Sequence, residues 1–280
     1  DTILCEDPSF IGALNALRSY KPNLVGIPLE DDGINIELLE KAILENQKVK
    51  MLYVIPNFQN PTGITMSLAK RKAVYELCKR HGIIILEDNP YGDLRFEGES
   101  VPSIKTLDTE GIVVYVGSFS KIISPGLRVG YLILNKGLMG KVVVAKQCSD
   151  VHTAILNQMI CEQFLISCNM KSHFTNLQRI YKQKSTLLLK SMEEAVGDKL
   201  SFVRPEGGLF VWYTLPDGVD MMAFCKAAAQ AGVAVVPGSA FLVNLGAPCQ
   251  SFRVNFSTPT NQQLTDGAEI LGDVLKEFVR

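Results

Sequence analysis

Apolar positions along this chain follow two alternating rhythms. Short runs dense in Val, Ile and Leu predict strands at Thr2–Cys5, Leu24–Ile27, Met51–Ile55, Ile83–Leu86, Ile112–Val116 and Tyr131–Leu134. Runs that are apolar on both faces suit a sheet covered on both sides, and the stretches between them have helical spacing. Asn35–Leu44 repeats Ile36, Leu39, Ala42 and Ile43 on one face. After Ser67, the positions Leu68, Val74, Leu77 and Cys78 do the same, and the stretch closes on Lys79-Arg80-His81 and Gly82. Ser67 can cap that helix, the cations suit its carboxyl end, and glycine permits the left-handed stop. Strands alternating with helices predict an α/β fold around a mostly parallel sheet.

After Tyr131 the texture changes. Lys141–Cys168 and His173–Val196 predict two long helices, the second a spine between domains. Beyond it, Phe202–Val203, Leu209–Tyr213, Val233–Val236 and Phe252–Phe256 predict strands, and Met221–Ala231 and Asn261–Val279 predict helices. This tail reads as a smaller α+β domain. The division is expected within 170–185, giving a large domain at 1–175 and a spine plus small domain at 176–280. Asp1–Cys5 opens the chain as a strand with nothing before it to pair its edge. That edge is therefore expected to be open, and the large domain to be incomplete at its N-terminus.

Composition narrows the class. The 280 residues are 47% hydrophobic and 20% charged, with a formal net charge of −1. That near-neutral balance argues against a nucleic-acid or membrane-surface partner. The seven cysteines are scattered, without a C-x-x-C, which favours a reducing cytoplasm over a disulfide framework. The three histidines lack metal-ligand spacing, so no metal site is expected.

The chemistry-bearing residues cluster where predicted strands end. Asp88-Asn89-Pro90-Tyr91 follows the run Ile83–Leu86, and Ser118-Phe119-Ser120-Lys121 follows Ile112–Val116. Carboxyl ends of parallel strands are where α/β folds bind ligands. Read singly, Asn60-Pro61-Thr62-Gly63 and Asp88-Asn89-Pro90 are good turn sequences, and Lys121 is an ordinary lysine at a strand end. Ser118 and Lys121 also match a Ser-x-x-Lys hydrolase pattern. That chemistry needs a Ser-Asp-Asn and a Lys-Thr-Gly as well; Ser149-Asp150 runs into Val151, and Lys-Thr-Gly is missing.

In this order and at these intervals, the Asn60, Asp88 and Lys121 segments and Pro125-Gly126-Leu127-Arg128-Val129-Gly130-Tyr131 resemble the class I/II aminotransferases. These are fold-type I enzymes that use pyridoxal 5′-phosphate (PLP), and the resemblance spans essentially the whole chain. It implies that Lys121 holds PLP as a Schiff base and moves the proton, and that Asp88 pairs with the pyridine nitrogen. Tyr91 and Asn60 then serve the 3-oxygen, while Ser118, Ser120 and Arg128 hold the phosphate. Phe10, in Glu6-Asp7-Pro8-Ser9-Phe10, stacks on the ring. Arg253, in Ser251-Phe252-Arg253-Val254-Asn255-Phe256, grips the substrate carboxylate together with Asn60.

The glycines at 126 and 130 are expected to turn the backbone beside the cofactor, and those of Pro205-Glu206-Gly207-Gly208 to border the substrate cleft. The implied reaction is amino transfer between an α-amino acid and a 2-oxo acid, in a cytoplasmic homodimer with the cofactor at the subunit interface. The segments at Asp7–Ala13 and Asn60–Gly63 resemble the 2-aminoadipate, kynurenine and aromatic transaminase subgroup. Two alternatives share the cofactor residues: a β-lyase, and the PLP-sensing domain of a winged-helix transcription regulator.

Overall fold

The computed structural model describes residues 1–279. The large sheet and its helices comprise β1 (Thr2–Asp7), α1 (Ile11–Arg18), β2 (Asn23–Glu30), β3 (Gly33–Ile34), α2 (Ile36–Glu45), β4 (Val49–Val54), α3 (Leu68–His81), β5 (Ile84–Asp88), β6 (Val113–Ser118) and β7 (Gly130–Ile133). Then come α4 (Lys136–Asp150), α5 (Ile155–Ser167) and α6 (Met170–Val196). The C-terminal part holds β8 (Ser201–Phe202), β9 (Phe210–Thr214), α7 (Met221–Gln230), β10 (Val236–Pro237), β11 (Ser251–Asn255) and α8 (Asn261–Phe278).

The strand order is β3-β2-β1-β4-β5-β6-β7 in the large sheet and β10-β11-β9-β8 in the small one. β2, β1, β4, β5 and β6 run parallel, while β3 and β7 lie antiparallel at the two edges. The expected open edge at Thr2–Cys5 is therefore wrong. β1 is an inner strand, paired with β2 on one side and β4 on the other. Both neighbours come from later in the chain, which a reading from the N-terminus alone cannot supply. The edge that does lie bare is β7, all four of whose residues are exposed.

Local chemistry explains most boundaries. Ser67 Oγ accepts from the Lys70 amide at 3.3 Å, and Gly82 ends α3 at φ 65°. Leu68, expected inward, is 37% exposed in the first turn, and Arg71 and Tyr75 join Val74, Leu77 and Cys78 on the buried face. The helix expected at Lys141–Cys168 is two: α4 stops at Asp150, Val151 adopts φ 65°, and α5 begins at Ile155. The apolar residues run on through this break, so spacing alone hides it.

Three apolar clusters organise the interior. One fills the space between the large sheet and α2 and α3 (Leu4, Leu52, Val74, Ile85), and one packs around the small sheet (Val211, Phe224, Phe252, Leu271). The third lies at the carboxyl edge of the large sheet and includes Tyr53, Tyr91, Ile122 and Phe210. The long helix α6 joins the last two: Phe174 and Leu177 pack on the edge cluster, and Leu188 to Val196 on the core around the small sheet.

Candidate active site

Parallel alignment of β1, β4, β5 and β6 brings four segments to one sheet edge. Phe10 follows β1, Asn60 follows β4, Asp88 ends β5, and Lys121 follows β6. The pairing of Asp88 with Val116 fixes the relative height of the last two strands. A single sheet edge therefore carries an aromatic ring, an amide, a carboxylate and an amine.

Lys121 ends a short 3-10 turn, Phe119–Lys121, that begins as β6 stops. Ser118 Oγ accepts from the Ser120 amide at 3.1 Å and holds that turn. The amine is half-buried, and its pKa is pushed below lysine's ordinary value, first by burial and then by the charges of Arg128 and Arg253. An amine so placed loses its proton more readily than a surface lysine.

Arg128 itself adopts the left-handed conformation, at φ 54°. The expectation that Gly126 and Gly130 supply this turn is corrected: neither has a positive φ. Gly130 is needed for proximity instead, because a Cβ there would lie 2.9 Å from the Gly117 carbonyl oxygen. Gly207 and Gly208 are likewise needed for proximity, since a Cβ on Gly207 would meet the Phe58 ring at 2.3 Å.

Asp88 takes a hydrogen bond on Oδ2 from the Tyr53 hydroxyl at 2.7 Å. Burial pushes the carboxyl's pKa up, and the Tyr53 bond opposes that rise. Tyr53 is itself held far above a phenol's usual pKa, by burial first and then by the Asp88 charge, so it remains a donor. Nothing in the motif reading singled out Tyr53. Its one signal was a hydroxyl in an otherwise apolar strand.

Asn60 is the junction of the site. Its Nδ2 donates to the Tyr91 hydroxyl at 3.2 Å, and its Oδ1 accepts from Arg253 Nη1 at 2.7 Å. The second bond joins residues 193 apart in sequence and ties the small sheet to the edge of the large one. Burial pushes the Tyr91 phenol to about 12, and its ring meets Phe210 edge-on at 5.8 Å. The Arg253 guanidinium packs on the rings of Phe210 at 4.1 Å and Phe241 at 4.9 Å. Its Nε is buried without a partner, and burial lowers its pKa. A forked cation walled by two aromatics, with one N–H unsatisfied, is suited to a carboxylate. Phe241 was not foreseen; it reaches Arg253 because the Ser9 amide donates to its carbonyl at 2.8 Å.

Phe10 is half-buried at the start of α1 and packs on the edge cluster. Its ring also lies over Gly12, where a Cβ would come within 2.5 Å. Among the described residues, no group of three or more His, Cys, Asp or Glu could hold a metal ion, and no helix is long and apolar enough to cross a membrane.

Comparison with known proteins identifies the arrangement. The family profile of aminotransferase class I and II matches residues 1–271. The chain is 39% identical to aromatic-amino-acid aminotransferase 1 of Thermococcus litoralis, over 100% of this chain and 68% of that protein. Its fold matches that of Pyrococcus horikoshii kynurenine aminotransferase, in complex with PMP, at a TM-score of 0.95 and 36% identity, over 100% of this chain and 70% of that one. LysN, the α-aminoadipate aminotransferase of Thermus thermophilus, complexed with N-(5′-phosphopyridoxyl)-L-leucine, matches at 0.95 and 33% identity, over 100% and 72%. These names favour amino transfer over side-chain elimination or a regulatory role. The chain belongs to the class I and II aminotransferases and is a PLP-dependent transaminase of fold type I, moving an amino group between an α-amino acid and a 2-oxo acid.

Proposed function

We propose that the enzyme acts on aromatic and 2-aminoadipate-type amino acids, with Lys121 as the proton-transferring base and Arg253 as the carboxylate grip. The observation that carries this reading is the Asn60 side chain, which links Arg253 on the small sheet to Tyr91 beside the end of β5. The relatives at similar identity are named for aromatic, kynurenine and α-aminoadipate substrates.

The donor set fits PLP. Asp88 would hold the pyridine nitrogen, its Oδ2 being already steadied by Tyr53. Tyr91 and Asn60 would serve the 3-oxygen, Ser118, Ser120 and Arg128 the phosphate, and Phe10 the face of the ring. When bound, PLP supplies an electron sink for the pair left on the substrate's Cα. Arg253 orients the substrate by its α-carboxylate, a contact that also sets the direction of the Cα–H bond. Lys121 Nζ takes that proton, a role favoured by burial and by the charges of Arg128 and Arg253, which lower its pKa. The aromatic walls of Phe210 and Phe241 keep water from the guanidinium and so strengthen its hold on an anion.

The functional unit in this reading is a cytoplasmic homodimer. Support for the dimer comes from the apolar grooves between β7, α4 and α5, where Tyr131, Leu132, Val143, Met159 and Ile166 lie at the surface. A division into domains at 1–175 and 176–280 agrees with α6 changing its packing partner between Leu177 and Leu188.

The test is transamination to 2-oxoglutarate from phenylalanine, kynurenine, 2-aminoadipate and aspartate. Turnover of the first three well above aspartate supports the assignment; a preference for aspartate would reject it.

A further inference from the structure

We infer that Glu6 is a positioning residue for the substrate-carboxylate site, acting through Gln59 on the turn that carries Asn60. The inference rests on the proposed role of Asn60 and Arg253 and adds what sets their geometry. Glu6 lies near the end of β1 and is 1% exposed. Its Oε2 accepts from the Ile55 amide at 3.0 Å, just past β4, and from Gln59 Nε2 at 3.2 Å. One carboxyl oxygen thus bridges the ends of two neighbouring strands.

Gln59 passes that constraint on. Its Nε2 also donates to the Pro8 carbonyl at 2.8 Å, and its Oε1 accepts from the Thr62 amide at 3.0 Å and the Thr62 hydroxyl at 2.8 Å. Both donors and both acceptor positions of the amide are therefore used. Its backbone closes the same turn, the N–H donating to Ile64 at 2.9 Å and the carbonyl accepting from Gly63 at 2.6 Å. The next residue is Asn60, with Arg253 on one side of its amide and Tyr91 on the other. Phe10 lies two residues beyond Pro8, so the same carboxyl steadies the segment leading to that ring as well.

Removing the Glu6 carboxyl leaves a buried amide N–H and half of the Gln59 NH₂ without acceptors. The turn then has reason to shift, and any shift moves Asn60 against Arg253. Burial pushes the Glu6 carboxyl to about 8, so near neutral pH it carries a proton and Oε2 serves as a carbonyl oxygen. A glutamine side chain copies that acceptor.

The experiment is a double-mutant cycle. It reads KM and kcat for phenylalanine with 2-oxoglutarate, and the affinity for 3-phenylpropanoate, a carboxylate with no amino group to react. Glu6→Ala should raise KM and weaken 3-phenylpropanoate by about tenfold, with a smaller change in kcat, and Glu6→Gln should return both to within about threefold of the parent. In an Asn60→Ala background, Glu6→Ala should add less than about threefold, because the two residues act on one contact.

Should Glu6→Ala fail to fold, Gln59→Met carries the test: it keeps the volume and removes the amide, and should show the same rise and the same loss of effect beside Asn60→Ala. A parental KM in whichever of these variants folds, or an equal rise in both backgrounds, overturns the inference. A parental KM in Asn60→Ala alone sinks the Asn60 assignment and the Glu6 relay with it. A rise in Asn60→Ala that Glu6→Ala or Gln59→Met fails to reproduce sinks the relay only.

Discussion

At the carboxyl ends of β1, β4 and β5, buried polar groups are partnered by side chains of the same chain: Glu6 by Gln59, Asp88 by Tyr53, Asn60 by Tyr91 and Arg253. At β7 and the two helices after it, the situation is reversed. Ile133, Val144, Ile155, Leu156 and Ile166 are 49–73% exposed, and α4 buries none of its residues. The first region builds its own low-dielectric surroundings and tunes its charges there. The second presents apolar surface of the kind monomers seldom leave bare. The partnered site and the bare apolar face therefore occupy neighbouring parts of one sheet, since β6, which leads into Lys121, pairs directly with β7.

The contrast can be broken first at Arg253. Arg253→Ala should leave PLP occupancy and sedimentation unchanged while raising KM for the amino acid, a loss on the order of 2–5 kcal/mol for one partner of a buried charge pair. Steady-state kinetics beside the absorbance of bound PLP checks this. Loss of the cofactor would move Arg253 out of the substrate role.

Leu156→Glu probes the other region. Leu156 is 69% exposed, so glutamate there costs an isolated chain little. At a buried subunit contact it should cost about 2 kcal/mol or more and shift sedimentation from dimer to monomer. An unchanged sedimentation coefficient would show that this face is not the dimer contact.

Much of the first region was legible in the sequence, and the second was not. Asn60, Asp88 and Tyr91 stood out because their chemistry is borne by short motifs at strand ends, and the sheet's parallel order converts strand ends into one edge, while Arg253 stood out as a cation inside the apolar strand β11. Tyr53, Glu6 and Gln59 escaped notice because each lies inside or beside an apolar run, where only the three-dimensional pairing of β4 with β1 and with β5 reveals its partner. The β7 edge was misplaced to Thr2–Cys5 for a related reason: strand periodicity shows that a strand exists but not which strands will flank it. The unbroken apolar pattern across α4 and α5 likewise hid both the kink at Val151 and the absence of anything covering those helices among the described residues.

A smaller effect separates the regions by pH. The Glu6 carboxyl releases its proton at about 8 in the folded chain, against an ordinary value of 4.5. Between those values the folded state binds more protons than the unfolded one. The Glu6 contribution is thus fully present below 4.5 and is lost as pH rises through 8. Glu6→Gln should therefore flatten the fall in Tm between pH 4.5 and pH 8, the window where this linkage acts. Parallel Tm profiles for the two proteins would deny Glu6 its buried, protonated state.

Lys121 is the residue on which the cofactor chemistry depends. Borohydride reduction of the PLP-loaded enzyme, followed by peptide mass spectrometry, should place the pyridoxyl group on Lys121, in the peptide that follows β6. Finding it on any other lysine would contradict the account.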